Sequence, residues 1–417
     1  MSWKKKFVRN WGQLGMKFDD NSLYNIKSSV NGKRYSLFEL ATWKNGLAFK
    51  KINFSETGVP VIKIAELNNG IGGTTAYTQQ TFSEDVHLCK GDLLFSWSGN
   101  PQTSIDVFRF NLDEGWLNQH IFKVTPDEKT VDRDYFYFLM KNLKPHFTQI
   151  ATNKQTTGLG HVTISDIKRM SVVIPSLDVQ REIVSYIKPI DEKIGLNNEI
   201  NNNLEQQMAA LYKSWFVDYT PFDGIKPETW IESDIYSISD IIYGAPFKSK
   251  LFNTEKIGKP IIRIRDLKEQ TFVTYTTEEH PKGYSLKYGD IVVGMDGEFR
   301  PYIWGNEEAW LNQRVCVFNN KRQKGKAFLL YTLKPLLNHI EQTQVATTVI
   351  HIGKKDFDAF KLYLPDDKVL DEFDEITSPM IWQIVNNSLE NKRLATLRDS
   401  LLPKLMSGEI NVSEITI

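Results

Sequence analysis

The stretch "NKQTTGLGHVTISD", residues 153–166, gathers a lysine, paired threonines, glycines and a histidine ahead of a helix-start signature, Thr163 with Asp166 three places on. Backbone amides of a glycine-containing loop at a helix N-terminus, flanked by hydroxyls and an ammonium, suit a phosphate oxygen. The predicted chemistry is a clamp on a nucleic-acid backbone formed by Lys154, Thr156, Thr157, Gly160 and His161. "ATTVIHIGKKD", residues 346–356, offers a similar set in Thr347, Thr348, His351 and Lys354. The plainer alternative is a strand-to-helix connection with a hydrogen-bonded histidine. Reading bases needs planar donors and acceptors, arginine for guanine and asparagine or glutamine for adenine. Candidates are Asn100, Gln102 and Arg109 in the first half and Arg263, Lys268, Arg300 and Tyr302 in the second. Taken singly, each could equally be an ordinary solvated side chain.

No residues point to catalysis or to a bound metal. An amino-methyltransferase would need an Asn/Asp-Pro-Pro-aromatic site and a Gly-rich cofactor loop after a strand, and neither occurs. "NNGIGGTT" (Asn68–Thr75) has no helix pattern after it and reads as a turn, and no Walker lysine motif is present. "PDDK" (Pro365–Lys368) has adjacent carboxylates, which suit a strand end and helix cap better than a nuclease site. Cys89 and Cys316 are the two cysteines, one in each half, which leaves no multi-cysteine zinc site and fits a reducing cytosol. A length of 417 residues, 41% apolar and 24% charged, suits a soluble chain of two or three domains. No apolar run approaches the roughly 18–20 residues of a membrane span, and the basic N-terminus lacks the apolar core of a signal peptide. A cytoplasmic location without a membrane partner is expected. Net charge is zero, although residues 236–365 carry a surplus of roughly five positive charges, which suits a polyanion or a solvated face.

The elements that must position these residues occur twice. "GVPVIKIAEL" (Gly58–Leu67) pairs with "GKPIIRIRDL" (Gly258–Leu267), and "GDLLFSWSG" (Gly91–Gly99) with "GDIVVGMDG" (Gly289–Gly297). "WLNQ" follows at Trp116 and again at Trp310, then the two clamp segments, then "VVIP" and "LYLP" ending at Pro175 and Pro365. Five ordered matches with a smoothly drifting offset, from 200 to 190, make the chain a tandem duplication. Alternation in "PVIKIAEL" and the Gly-Asp turns feeding "LLF" and "IVV" predict mixed, mainly β domains over residues 35–176 and 219–366. Trp116 and Trp310 are expected in the cores. Asn118/Gln119 and Asn312/Gln313, identical in both copies, should brace a turn or touch backbone rather than set specificity.

A helix pattern follows each domain, over residues 177–218 and 367–410. The first has a seam of Ile183, Ile187, Ile190, Ile194, Asn197, Asn201, Leu204, Met208 and Leu211 at 4-3-4 spacing, a coiled-coil period. The second has Phe373, Ile376, Met380, Gln383, Asn387, Glu390, Leu394, Leu397 and Leu401, with Pro379 expected to kink or restart it. Polar centres in both seams would satisfy one another if the helices lie side by side, antiparallel. Residues 1–34 form an extension outside the repeat and residues 411–417 a tail. The fold class is therefore α+β, with two mainly β domains joined by two long antiparallel coiled-coil helices.

This order of phrases, with "YSLFELATWKNGLAFKK", "VVIPSLDVQREIVSYIKPIDEKI", "LYKSWFVDYTPFDG" and the terminal "LLPKLMSGEI", resembles the specificity subunit of Type I restriction–modification systems across residues 35–410. The resemblance implies two target recognition domains, each reading one half of a bipartite, asymmetric site in double-stranded DNA. It implies paired helices that set the spacing, with half-sites about one DNA turn apart, roughly 10 bp, and that dock two modification subunits. Adenine N6-methylation with S-adenosylmethionine, and ATP- and Mg-dependent translocation and cleavage, would belong to the modification and restriction subunits, leaving this chain non-catalytic and without a cofactor. The alternative is a two-module coiled-coil scaffold that binds protein or glycan.

Overall fold

A computed structural model describes Tyr24, Asn25 and residues 30–155, 158–297, 299–343 and 351–412. The chain divides into two compact units, Met1–Ile190 with Leu397–Ile417, and Asp191–Thr396.

In the first unit a four-stranded sheet runs in the order Ala41–Asn45, Ile121–Pro126, Leu93–Ser96, Asp106–Arg109, with every pair antiparallel. The strand Leu93–Ser96 is buried at all four positions. Leu93 and Phe95 face a core that includes Phe136 and Phe147, while Leu94 faces a second core with Val61, Ile62 and Leu117. A strand covered on both faces loses polar alternation, which is why "LLF" is a continuous apolar run. A smaller sheet orders Tyr77–Thr78, Val59–Ile62, Glu114–Leu117 and His87–Cys89. Its centre is parallel, Trp116 opposite Val61 and Leu117 opposite Ile62. Tyr24–Asn25, Met170–Ile174 and Lys33–Ser36 form a third sheet, which draws part of the expected N-terminal extension into this unit. Helices Arg133–Asn142 and Lys144–Asn153 supply most of the aromatic core, the first capped by Asp132, which accepts from the amides of Asp134 and Tyr135 at 3.0 Å.

The second unit repeats this frame. Ser239–Tyr243, Val315–Asn320, Ile291–Gly294 and Pro301–Ile303 have the same order and directions. Ile291 and Val293 face one core and Val292 another. Trp310 opposes Ile261 and Leu311 opposes Ile262, again parallel. The duplicated phrases are thus the same strands in the same register. One expectation needs correcting. Trp116 is a core residue at 5% exposure, but Trp310 is half-buried beside Phe247 with the Lys259 ammonium over its ring, and the buried indoles of this unit are Trp230 and Trp304.

The long helices are Leu177–Phe216 and Asp367–Ser407. The distal one runs through Pro379 as a single helix, where a kink or restart was expected. Within the first unit, Ile183 and Ile187 share a core with Leu402, Leu405 and Met406, and Leu401 packs against it. Within the second, the polar centres meet. Asn197, fully buried, donates from Nδ2 to Glu390 Oε2 at 2.7 Å and to Asn391 Oδ1 at 2.8 Å, and Asn387 Nδ2 donates to Asn201 Oδ1 at 2.8 Å. Rising numbers on one helix meet falling numbers on the other, so the pairing is antiparallel. Met208 is buried, and Ile190, Ile194, Leu204 and Leu211 are half-buried.

The distal face departs from a plain heptad seam. Phe373, Thr377, Ile381, Ile384 and Val385 are buried, whereas Ile376 and Leu397 are 44% and 46% exposed, Gln383 is exposed, and Leu394 and Leu401 are half-buried. The cause is a second surface to cover. Phe373 lies in the core with Phe318 and Phe328, Arg322 reaches Asp367, Asp371 and Asp374, and Lys392 Nζ donates to the Glu269 carbonyl at 2.6 Å. A helix that packs on its own globule as well as on a partner helix needs a wider apolar face than a strict seam provides.

Candidate nucleic-acid interface

The turn after the repeated Trp-Leu is built identically in both units. Asn118 N–H donates to the Ile62 carbonyl at 3.1 Å, and the Asn118 carbonyl accepts from Ile121 N at 3.2 Å. Asn312 does the same with Ile262 at 3.2 Å and Val315 at 3.0 Å. Gly46 and Gly244 press against these carbonyls. A Cβ at Gly46 would lie 2.1 Å from Asn118 O, and one at Gly244 2.0 Å from Asn312 O, so no larger residue fits. The repeated asparagines therefore act through their backbone as turn braces.

The clamp segments lie beside this turn. Gly160 pairs with Gly99 and His161 with Ser98, and in the second unit His351 pairs with Asp296. Gly160 is a packing position, its Cβ site 2.3 Å from the Ala151 carbonyl. Lys154 is engaged elsewhere. Its Nζ lies 2.6 Å from Oδ1 of Asp166, a fully buried carboxylate that also accepts from Thr163 N at 2.8 Å and Arg169 Nη2 at 2.8 Å. Burial would raise the Asp166 carboxyl, but the bonds from Lys154 and Thr163 outweigh it and hold it below the usual range. Lys154 is thus an internal counter-ion. Lys354 is different: its side chain is 73% exposed, with an i,i+4 pair to Asp358 at 3.1 Å and its ammonium 5.8 Å from the centre of the Tyr236 ring. Thr156, Thr157, Thr347 and Thr348 lie outside the described residues.

Several base-reading candidates are also committed. Arg109 lies 2.9 Å from Asp134 and 4.3 Å over the Tyr137 ring, and Arg300 pairs with Glu341. Arg263 Nη2 donates to Thr274 Oγ1, while its backbone N–H donates to buried Asp266 at 3.1 Å. Burial lowers the Arg263 guanidinium and raises the Asp266 carboxyl. Tyr302 stands in a sheet opposite Val292, packed on the core. Asn100 closes a turn, its Oδ1 accepting from Gln102 N at 2.9 Å, and Asn100, Gln102 and Lys268 are exposed. In the first unit Asn100 directly follows Gly99, the strand partner of Gly160, whereas Arg109 pairs with Asp134 and, in the second unit, Arg300 pairs with Glu341.

Exposed polar groups that the sequence reading passed over flank the braced turn. His120 and Arg314 follow the repeated tetrapeptide directly, and Arg314 lies 3.1 Å from His351 Nδ1 and 3.4 Å from Asp296. Their signal is a difference immediately after an identity. Among the described residues no three or more His, Cys, Asp and Glu form a group able to hold a metal ion. No helix among them is long and apolar enough to cross a membrane.

Comparison with known proteins gives a consistent result. The chain is 24% identical over 403 residues to the specificity subunit of the type I restriction enzyme HindI of Haemophilus influenzae, covering 77% of this chain and 87% of that protein. It is 24% identical over 323 residues to the MjaIX specificity subunit of Methanocaldococcus jannaschii, covering 72% and 73%. A crystal structure of the S subunit of a Type-I restriction-modification system from M. genitalium shares the fold, with a TM-score of 0.51 at 15% identity over 94% of this chain and 98% of that one. The family described as Type I restriction modification DNA specificity domain matches residues 30–206 and again 227–397. With one match on each repeat, the chain belongs to the Type I restriction–modification DNA specificity family.

Proposed function

We propose that this chain selects DNA sequence for a Type I restriction–modification complex, each unit reading one half of a bipartite, asymmetric site in double-stranded DNA. The observation that carries this reading is one backbone frame built twice with different exposed side chains on it. Two unlike surfaces on a common frame suit two unlike half-sites, where identical ones would suit a palindrome. The paired helices set the gap between half-sites and dock two modification subunits. Restriction subunits join the same complex, and the chain works in the cytoplasm. S-adenosylmethionine, ATP and Mg act in those partners, and this chain performs no catalysis. Family membership does not favour the scaffold that binds protein or glycan. Methylome sequencing of cells expressing the complete system tests the proposal: a bipartite motif with a fixed gap is expected, and methylation at a continuous palindrome, or none, would refute it.

A further inference from the structure

The braced turn carries a second layer of equivalence. Trp97 N–H donates to the His120 carbonyl at 3.3 Å, and Val162 N–H donates to the Trp97 carbonyl at 2.8 Å. In the second unit Met295 N–H donates to the Arg314 carbonyl and Ile352 N–H to the Met295 carbonyl, both at 2.9 Å. The backbone positions correspond bond for bond, yet the side chains do not. The first unit presents His120 edge-on to Trp97 at 5.5 Å, with Gln119 Nε2 3.1 Å from His120 Nε2. The second presents Arg314, 53% exposed, with Nη1 beside Asp296 and His351, whose Nδ1 lies 2.6 Å from the Asp296 carboxylate.

We propose that this turn is the base-reading station of each unit, and that His120 with Trp97 on one side, and Arg314 with Asp296 and His351 on the other, determine how the two half-sites differ. The inference rests on the DNA-reading function proposed above. Both contacts of Arg314 use Nη1, so its Nε and Nη2 have no partner among the described residues. A guanidinium pinned at one corner loses little rotamer freedom on binding and can offer two donors to guanine O6 and N7. A carboxylate 3.4 Å away repels a phosphate but tolerates the neutral edge of a base, and it can accept from the cytosine amine of the same pair. The station therefore favours a G·C pair over a backbone contact. An imidazole on an indole lacks that fork, so the first unit reads something else.

Arg314→His, Arg314→Lys and His120→Arg, each in the full chain within the complete complex, test this by methylated-motif sequencing. Arg314→His should lower discrimination at one guanine of one half-site by about 5- to 150-fold, leaving the other half and the gap unchanged. Arg314→Lys keeps the charge beside Asp296 and guards against loss of fold, and it should lose the same selectivity because an ammonium makes no fork. His120→Arg should alter a position in the opposite half. Wild-type motifs and rates in all three variants would overturn the station. So would weakening that is equal at every position, or rescue by lysine, as a phosphate contact would give. If the unaltered complex yields no bipartite motif, the DNA-reading function itself fails, which is a separate result.

Discussion

Asn387 donates its side-chain amide to the Asn201 carbonyl oxygen at 2.8 Å, while its own Oδ1 accepts from Gln383 at 2.7 Å. Asn387 is only 4% exposed, so the bond between the helices is largely shielded from water. Replacing it with alanine removes both bonds and leaves Asn201 Oδ1 without that donor. Asn387→Ala should cost about 1–3 kcal/mol in denaturant unfolding. A midpoint unchanged within error would show that these rungs contribute no stability.

His146 is a pH-dependent weakness. It is 6% exposed, neither ring nitrogen has a hydrogen-bond partner among the described residues, and burial pushes its pKa down to about 4 from 6.5. With the folded value depressed, the unfolded chain takes up the proton first. Stability is full above about pH 6.5 and falls as pH drops toward 4, by on the order of 3 kcal/mol from this group. His146→Leu should flatten that decline. Parallel unfolding curves from pH 7.5 to 4.5 check it, and equal slopes in both proteins would count against it.

The two clamp lysines should behave oppositely. Lys154→Ala strips one of the two cations, Arg169 being the other, from fully buried Asp166 and should destabilise the first unit by about 1–3 kcal/mol without changing the salt dependence of DNA binding. Lys354→Ala should leave stability within about 0.5 kcal/mol and lower the salt slope by about one. Thermal melts together with binding titrations over salt concentration separate the two behaviours.

Gly244→Ala drives a methyl group onto the Asn312 carbonyl. The turn must shift, at a cost of about 1–3 kcal/mol or more. Selectivity should then fall in one half-site, with Gly46→Ala affecting the other. Motif sequencing of the two variants reads this directly.

The repeat was legible because its identical residues mark backbone constraints. Gly58 and Gly258 sit at positive φ against the Thr78 and Thr276 carbonyls, and Asn118 and Asn312 brace the same turn. The long helices and their asparagine centres were legible from period alone. The faces of the distal helix were not, because a 3.5-residue seam assumes one surface to bury while Phe373 and Ile381 also cover the globule. Arg109, Arg300 and Lys154 have the right chemistry for DNA, but sequence does not reveal that Asp134, Glu341 and Asp166 already occupy them. His120 and Arg314 stand where the copies first part after the repeated tetrapeptide, but sequence does not reveal that both are exposed beside the braced turn.

Ile183, Val184 and Ile187 share their core with Leu402, Leu405, Met406 and Val412, so the unit that begins the chain is finished by residues near its end. A ribosome making this protein releases the second globule's entire sequence before the first can close its apolar flank. A nascent chain stalled before residue 397 carries that flank uncovered, an adhesive strip open to chaperones and proteases. Premature termination late in translation should therefore disable the N-terminal reader.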